Sequence, residues 1–224
     1  MVDIKIGKII RSKRKTIALQ ITDDATLIVR APFDIDEKRI WEVIEKHSKW
    51  IEKKKKEIEA RDPKVLKKEF VNGEGFLYLG KYYKLYIVDN QDVPLKLEDG
   101  FYLSRNFLDK AREVFIDWYK KEAFDIISER VRWYAQKSNF KYNKINIMFA
   151  QKRWGSCSPN GNLNFSWRLI MAPISVIDYV VVHELAHLEE RNHGKNFWIK
   201  VKMLMPDYKK QEDWLKKNGY LLNL

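Results

Sequence analysis

Two histidines and a glutamate lie within five consecutive positions of the C-terminal quarter, as His183, Glu184 and His187. A spacing of four residues places both imidazoles on one face of a helix, one turn apart. Both can then reach a single tetrahedral metal ion at about 2.0–2.1 Å. The glutamate beside the first histidine can take a proton from a metal-bound water as a general base. The pattern His-Glu-x-x-His therefore predicts a zinc-dependent hydrolase with Glu184 as its catalytic residue.

A third metal ligand is expected, because a catalytic zinc ion usually has three protein ligands and one open position. His193 follows His187 by six residues, so three of the four histidines fall within eleven positions. Glu212, on a later helix, is the alternative ligand. Residue type and proximity favour His193, and we predict one Zn²⁺ per chain.

The helix that carries this motif must be buried, because it is apolar nearly all round. It is predicted to begin near Ser175, where Ser175 to Asp178 fits a capping box. The metzincin pattern has the same spacing to the third histidine, with a glycine between them where this chain has Glu190. Asn192, which tolerates a positive φ, or Gly194 would make the turn instead.

Two segments of different character must support the site. Up to Ser104 the chain has mainly β-patterning, and from Phe107 onwards helical periodicity predominates. The predicted fold class is α+β, with an N-terminal antiparallel β-rich lobe over 1–104 and a helical lobe with a small sheet over 105–224. The predicted elements are strands at 16–22, 26–31, 76–80, 82–88, 95–103, 145–150 and 163–169, helices at 36–60, at 107–137 and from 175, and a turn-rich segment at 155–161.

The composition excludes several classes of protein. The chain has 224 residues, of which 45% are hydrophobic and 33% charged, so it is not a disordered polymer. A single cysteine cannot form an internal disulfide. We find neither a signal-peptide pattern nor an uncharged apolar run of about 20 residues. These features predict a cytoplasmic protein that does not cross a membrane.

The net charge of +12 leaves the substrate class open. Peptide hydrolysis is the first hypothesis. A nucleoside triphosphate or another phosphoanhydride is the second, because Lys152, Arg153 and Arg168 are close in sequence to the motif. A nucleic-acid-binding protein with a structural or vestigial zinc site is the third, and it is not favoured because structural sites use four ligands. The basic arm from Lys8 to Lys15 is interpreted as a solvated strand edge.

Several motifs along the chain resemble those of one known family. The sequence is similar to the YgjP-like zinc metallopeptidases, which are related to the WLM and SprT-like families. This resemblance implies a zincin-like fold for the C-terminal lobe, His183, His187 and His193 as the zinc ligands, and Glu184 as the catalytic residue. The segments that carry it are Arg11-Ser-Lys-Arg-Lys-Thr16, Val29-Arg-Ala-Pro32, Tyr78-Leu-Gly-Lys-Tyr82, Arg153-Trp-Gly-Ser-Cys157, Asn162-Leu-Asn-Phe-Ser-Trp-Arg-Leu169, Tyr179 to His187, Asn192-His-Gly-Lys-Asn-Phe-Trp198, Pro206-Asp-Tyr208 and Trp214-Leu215.

Four further residues are candidates for substrate binding. Arg153 can line the cleft, or remain a surface charge beside a core Trp154. Asn164 and Arg168 lie on a strand that could offer its edge to an extended substrate, although an ordinary core strand explains them equally well. Tyr208 can donate to a developing oxyanion. Cys157 is interpreted as a buried or turn thiol.

Overall fold

The computed structural model describes residues 4–22, 24–60, 68–150 and 153–224. Contacts within the chain divide it into two compact units, residues 1–65 and residues 66–224. The sequence places this boundary at residue 104. The structure differs because Phe76, Leu85, Phe101 and Leu103 are fully buried in the same hydrophobic core as the later helices.

The first unit is a three-stranded sheet packed with two helices, and its strand order is β1-β3-β2. Strand β3 pairs with β1 in parallel and with β2 antiparallel. The basic arm begins in β1, an edge strand of this sheet. The single helix predicted at 36–60 is two helices, because the backbone leaves helical geometry at His47 (φ −108°, ψ 12°). The elements are β1 (Ile6–Ser12), β2 (Ala18–Ile21), β3 (Leu27–Pro32), α1 (Glu37–Lys46) and α2 (Ser48–Glu59).

The second unit opens with a four-stranded sheet of order β4-β5-β7-β6. The predicted hairpin is present, and its two turn residues, Leu79 and Gly80, both have a positive φ. Such a turn matches the twist of the strands that it connects. The strand predicted at 95–103 is an antiparallel pair, because the polar segment Glu98-Asp99-Gly100 turns the chain. The elements are β4 (Gly75–Tyr78), β5 (Lys81–Val88), β6 (Leu95–Leu97) and β7 (Phe101–Ser104).

Helix α3 (Ala111–Ser138) is the longest helix of the described residues. Five of its buried side chains recur at intervals of four, which gives one continuous apolar stripe. The stripe packs on the four-stranded sheet, where the rings of Phe115 and Phe76 stack at 4.3 Å between centroids. The helix ends at Asn139, whose left-handed conformation (φ 53°) caps it. The stripe consists of Phe115, Tyr119, Ala123, Ile127 and Val131.

The second unit contains another sheet, of order β8-β10-β9, which precedes the motif helix in the chain. Strand β9 lies inside the segment predicted as a turn, and it pairs antiparallel with β10. The α+β class is confirmed, and among the residues described no helix is long and apolar enough to cross a bilayer. The remaining elements are β8 (Ile145–Met148), β9 (Gly155–Cys157), β10 (Leu163–Ser166), α4 (Ile174–Ala186), α5 (Lys195–Leu204) and α6 (Tyr208–Asn218).

The sequence predicts a capping box at the start of α4, formed by Ser175 to Asp178. This prediction is wrong, because Pro173 is the N-cap residue and no side chain caps the helix. Ser175 Oγ instead donates to Gln211 Oε1 of α6 at 3.1 Å. Asp178 accepts two hydrogen bonds from Arg130 of α3, at 2.6 and 2.9 Å. Both polar groups therefore fix α4 to neighbouring helices.

Candidate metal centre and active-site cleft

The three clustered histidines converge on one point. His183 lies in the last turn of α4, His187 is its C-cap residue, and His193 stands just before α5. His193 Nε2 is 3.0 Å from His183 Nε2 and 3.2 Å from His187 Nε2. Nitrogen ligands at about 2.0–2.1 Å from a tetrahedral ion are roughly 3.3–3.4 Å apart. The cluster therefore has the size of a three-histidine metal site.

The chain turns back between His187 and His193, and no residue of this turn has a left-handed conformation. Gly194 has a φ of −76°, and Asn192 is not among the residues with a positive φ. The expectation that either residue turns the chain through that conformation is wrong. The backbone carbonyl of Glu190 faces His187 Nδ1 at 2.9 Å instead. Because a carbonyl only accepts, Nδ1 carries the proton, and Nε2 is left with a lone pair directed at the cluster.

Burial favours the neutral, metal-binding form of His183 and His187. It lowers the pKa of His183 to about 4, and repulsion from His187 and His193 acts in the same direction. Burial also lowers the pKa of His187. His183 Nδ1 is buried and has no hydrogen-bond partner among the residues that the structure describes. Neutral imidazoles with converging lone pairs fit a divalent metal ion.

Glu184 lies beside this cluster and is 5% exposed. Burial raises the pKa of its carboxyl to about 8, and attraction to the Arg153 guanidinium opposes that rise. Its Oε2 has no hydrogen-bond partner within the described ranges. A buried carboxylate with an unused oxygen beside a metal-sized cluster has the chemistry of a proton acceptor. Gly155 leaves the space for it, because a Cβ there would lie 2.5 Å from Glu184 Oε1.

A cleft of about 600 Å³ opens over the cluster. Its lining includes β9 with the turn that follows it, the three histidines and Glu184. Lys141 and Arg191 are the cations of its lining. Within the described parts of the chain β9 pairs only with β10, so its second edge is unpaired.

Comparison with known proteins identifies the chain. The model of the YgjP-like metallopeptidase domain matches residues 15–218. The chain belongs to the YgjP-like family. No curated protein matches it.

Three solved structures are similar to part of this YgjP-like chain. The metallopeptidase zymogen of Pyrococcus abyssi abylysin is 19% identical, with a TM-score of 0.38 over 41% of this chain and 93% of that one. The metallopeptidase zymogen of Methanocaldococcus jannaschii jannalysin is 19% identical, with a TM-score of 0.36 over 42% and 96%. Wss1 from Saccharomyces cerevisiae is 20% identical, with a TM-score of 0.35 over 42% and 82%.

The strand-edge interpretation of Asn164 and Arg168 is not supported in this YgjP-like structure. Strand β10 lies between β8 and β9, so it has no free edge. Asn164 accepts from Asn146 Nδ2 at 2.9 Å and donates to the Ser156 carbonyl at 3.2 Å, both within the sheet. Arg168 is not on the strand as predicted, because β10 ends at Ser166 and residues Trp167–Met171 form a 3₁₀ helix. Its guanidinium lies 4.8 Å from the ring centre of Trp154. The free edge beside the cleft belongs to β9.

The other candidate site residues have different surroundings in the structure. Arg153 is exposed and acts electrostatically on Glu184, whereas Lys152 lies outside the described residues. Cys157 lies in the cleft wall, and burial raises the pKa of its thiol. Glu212 accepts from Lys209 at 3.2 Å and pairs with Lys216 at 2.7 Å, and it is not part of the histidine cluster.

A row of stacked aromatic rings lies beside the cluster, and sequence reasoning missed it. The ring of His193 stacks on Trp198 with centroids 5.9 Å apart. Trp198 stacks on Tyr208 at 5.3 Å, and Tyr208 on Tyr179 at 6.4 Å. Tyr208, expected to donate to an oxyanion, is 8% exposed and forms part of this row. The spacing of these rings in sequence gives no signal, because they come from three helices and a loop.

Proposed function

We propose that this YgjP-like protein is a zinc-dependent peptidase whose ligands are His183, His187 and His193 and whose general base is Glu184. One observation carries the proposal. Three imidazole nitrogens converge, with His193 Nε2 3.0 Å from His183 Nε2 and 3.2 Å from His187 Nε2, beside the buried Glu184 carboxyl, which has an unused oxygen. The family match to a metallopeptidase domain supports it.

The histidines provide binding and Glu184 provides proton transfer. Zinc, when bound, supplies Lewis acidity toward a substrate carbonyl and increases the acidity of a nearby water. Glu184 takes the proton from that water as the water oxygen adds to the carbonyl carbon. It then delivers this proton to the amine nitrogen, and the C–N bond breaks. Burial increases the proton affinity of Glu184, and the Glu190 carbonyl holds the His187 ring in the binding tautomer.

The free edge of β9 supports an extended peptide as the substrate. Its unpaired backbone groups run along the cleft that contains the cluster. A peptide can pair with such an edge as an added strand, and its side chains then alternate between the cleft and solvent. This arrangement would place one carbonyl of the substrate above the cluster.

The two other hypotheses have less support. The nucleotide hypothesis relied on Lys152, Arg153 and Arg168, of which Arg168 lies over Trp154. The nucleic-acid hypothesis assumes a structural or vestigial zinc site. A structural site uses four protein ligands, whereas the cluster found among the described residues has three histidines. The family match is to a metallopeptidase domain, so we propose a peptide or protein substrate.

Cleavage of a mixed peptide library by zinc-loaded protein tests the proposal, with products read by mass spectrometry. We expect new peptide ends from the wild-type chain and none from Glu184→Gln at equal zinc content. Nucleoside triphosphates are assayed in parallel. Turnover of triphosphates without any peptide cleavage would overturn the proposed substrate class.

A further inference from the structure

A second pocket, of about 290 Å³, adjoins the cleft at the metal cluster. Gly155, His183 and Glu184 line both cavities. From this shared wall the second pocket extends between α4 and α6, where its lining is Trp154, Tyr179, Val180, Leu215, Glu212 and Lys216. Any group in this pocket would therefore lie directly beside the atoms that we propose as catalytic.

The walls of the pocket are mostly apolar and are held in place. The Trp154 ring lies under the Arg168 guanidinium, and it is so close to Gly219 that a Cβ there would lie 2.9 Å from Trp154 Cζ2. Val180 and Leu215 are 4% and 8% exposed. An apolar cavity of about 150 Å³ binds benzene. The pocket thus has room for an aromatic ring or a long aliphatic side chain.

The charges around the pocket do not favour a charged guest. Glu212 is the only carboxylate of its lining besides Glu184, and its two oxygens are held by Lys209 and Lys216. A positively charged guest would have to compete with two lysines. A negatively charged guest would have to take Lys216 from Glu212 and would leave that carboxylate without this partner. The binding energy must therefore come from apolar contact.

We infer that this pocket binds a large apolar side chain, such as phenylalanine or leucine, of the residue next to the scissile bond. This inference rests on the proposed peptidase function, and it names the residue class that the enzyme selects. Leu215 and Val180 are the aliphatic side chains of its lining, so changing their size changes the size of side chain that fits. An apolar pocket discriminates by roughly 10-fold to 200-fold per missing methylene.

The size preference is tested with peptides that are identical except for phenylalanine, leucine, valine or alanine at the residue next to the cleavage site. We expect wild-type kcat/KM to be at least about tenfold higher for phenylalanine than for alanine. Leu215→Phe fills the pocket and should lower that ratio severalfold. Leu204→Phe is the matched control, because Leu204 is half-buried at the end of α5 and lines neither cavity. It should leave the ratio unchanged.

Val180→Ala provides a second variant in case Leu215→Phe does not fold. It enlarges the same pocket, so the preference should shift towards tryptophan. If a folded pocket variant keeps the wild-type ratio of kcat/KM for phenylalanine over alanine, the inference is overturned. A wild-type preference for charged or small residues would also overturn it.

Binding of acetyl-phenylalanine amide, followed by ligand-observed NMR, separates the pocket from the reaction. We expect binding by the wild type and Leu204→Phe, and at least tenfold weaker binding by Leu215→Phe. If this pattern appears but no peptide is cut, the pocket inference stands and the proposed function fails. If peptides are cut without regard to the neighbouring side chain, the function stands and the pocket inference fails.

Discussion

Gly155 and Glu184 pack directly against each other in the lining of the cleft, although 29 positions separate them in the sequence. A Cβ on Gly155 would lie 2.5 Å from Oε1 and 2.7 Å from Cγ of Glu184. The first residue of β9 therefore determines where the proposed general base can stand.

Gly155→Ala should displace the Glu184 carboxylate and lower kcat by about 10²-fold, as a shift of about 1 Å in a catalytic group can. Bound zinc should remain stoichiometric, because the ligands are untouched. Gly194→Ala is the matched control, since a Cβ there has no atom within 4 Å and φ is −76°. Steady-state kinetics and metal analysis check both variants. Full activity in Gly155→Ala would show that the carboxylate position is not critical.

Glu184→Gln should keep the metal and the fold while hydrolysis falls by about 10²–10⁴-fold, since an amide cannot accept the proton. The Gln side chain has nearly the same shape, so its packing against Gly155 is preserved. Turnover numbers and zinc stoichiometry are measured on the same preparation. Turnover equal to that of the wild type would exclude Glu184 as the base.

His193→Ala should lose zinc to a chelator that leaves the wild type loaded, because only two ligands remain. Glu212→Ala should retain zinc, since its carboxylate is bound by Lys209 and Lys216 outside the cluster. Metal analysis after chelator dialysis compares the two variants. Retention by His193→Ala together with loss by Glu212→Ala would reverse the assignment of the third ligand.

Trp198→Ala should weaken zinc binding by roughly 10-fold to 100-fold, the range found when a residue that orients a ligand is removed. His193 is exposed and lies outside regular structure, so its orientation depends on stacking with Trp198. Trp198→Phe should restore most of the affinity. Trp133→Ala, at a half-exposed position on α3, is the control. Chelator competition measures the affinities, and equal values for all variants would contradict this role.

Arg130→Ala should lower the free energy of unfolding by about 3 kcal/mol, because the Asp178 carboxylate, with its side chain 11% exposed, would lose its partner. Arg105→Ala removes an exposed pair with Asp89 and should cost less than about 1 kcal/mol. Urea denaturation, analysed with one m-value for both variants, measures the two losses of unfolding free energy. Equal losses would indicate that burial of the Arg130 pair is unimportant.

The parts of the site that follow from sequence are local. The His-Glu-x-x-His spacing fixes His183, Glu184 and His187 on one helix, because helical period alone brings residues four apart together. The apolar stripe of α3 and the hairpin before it follow from periodicity and turn residues in the same way.

The features that could not be predicted from the sequence depend on contacts between residues that are far apart in the chain. Strand β9 contains Gly155, Ser156 and Cys157, which have no strand-like pattern, and it forms only because β10 is available to pair. No proline or glycine lies at the break between α1 and α2, which occurs at His47. Ser175 matches a capping motif but bonds Gln211, 36 positions away. In each case tertiary contact prevails over the local signal.

The stretch from His183 to His193 holds all three imidazoles within eleven consecutive residues. Closing so short a loop costs little chain entropy, and the cost grows only by about 0.6 kcal/mol for each doubling of length. Metal ions therefore have affinity for the unfolded chain as well as for the folded one. Linkage subtracts that affinity, so we expect the proposed zinc ion to raise the melting temperature by less than its native-state Kd implies. On this proposal, a newly made chain is able to bind the ion before it folds.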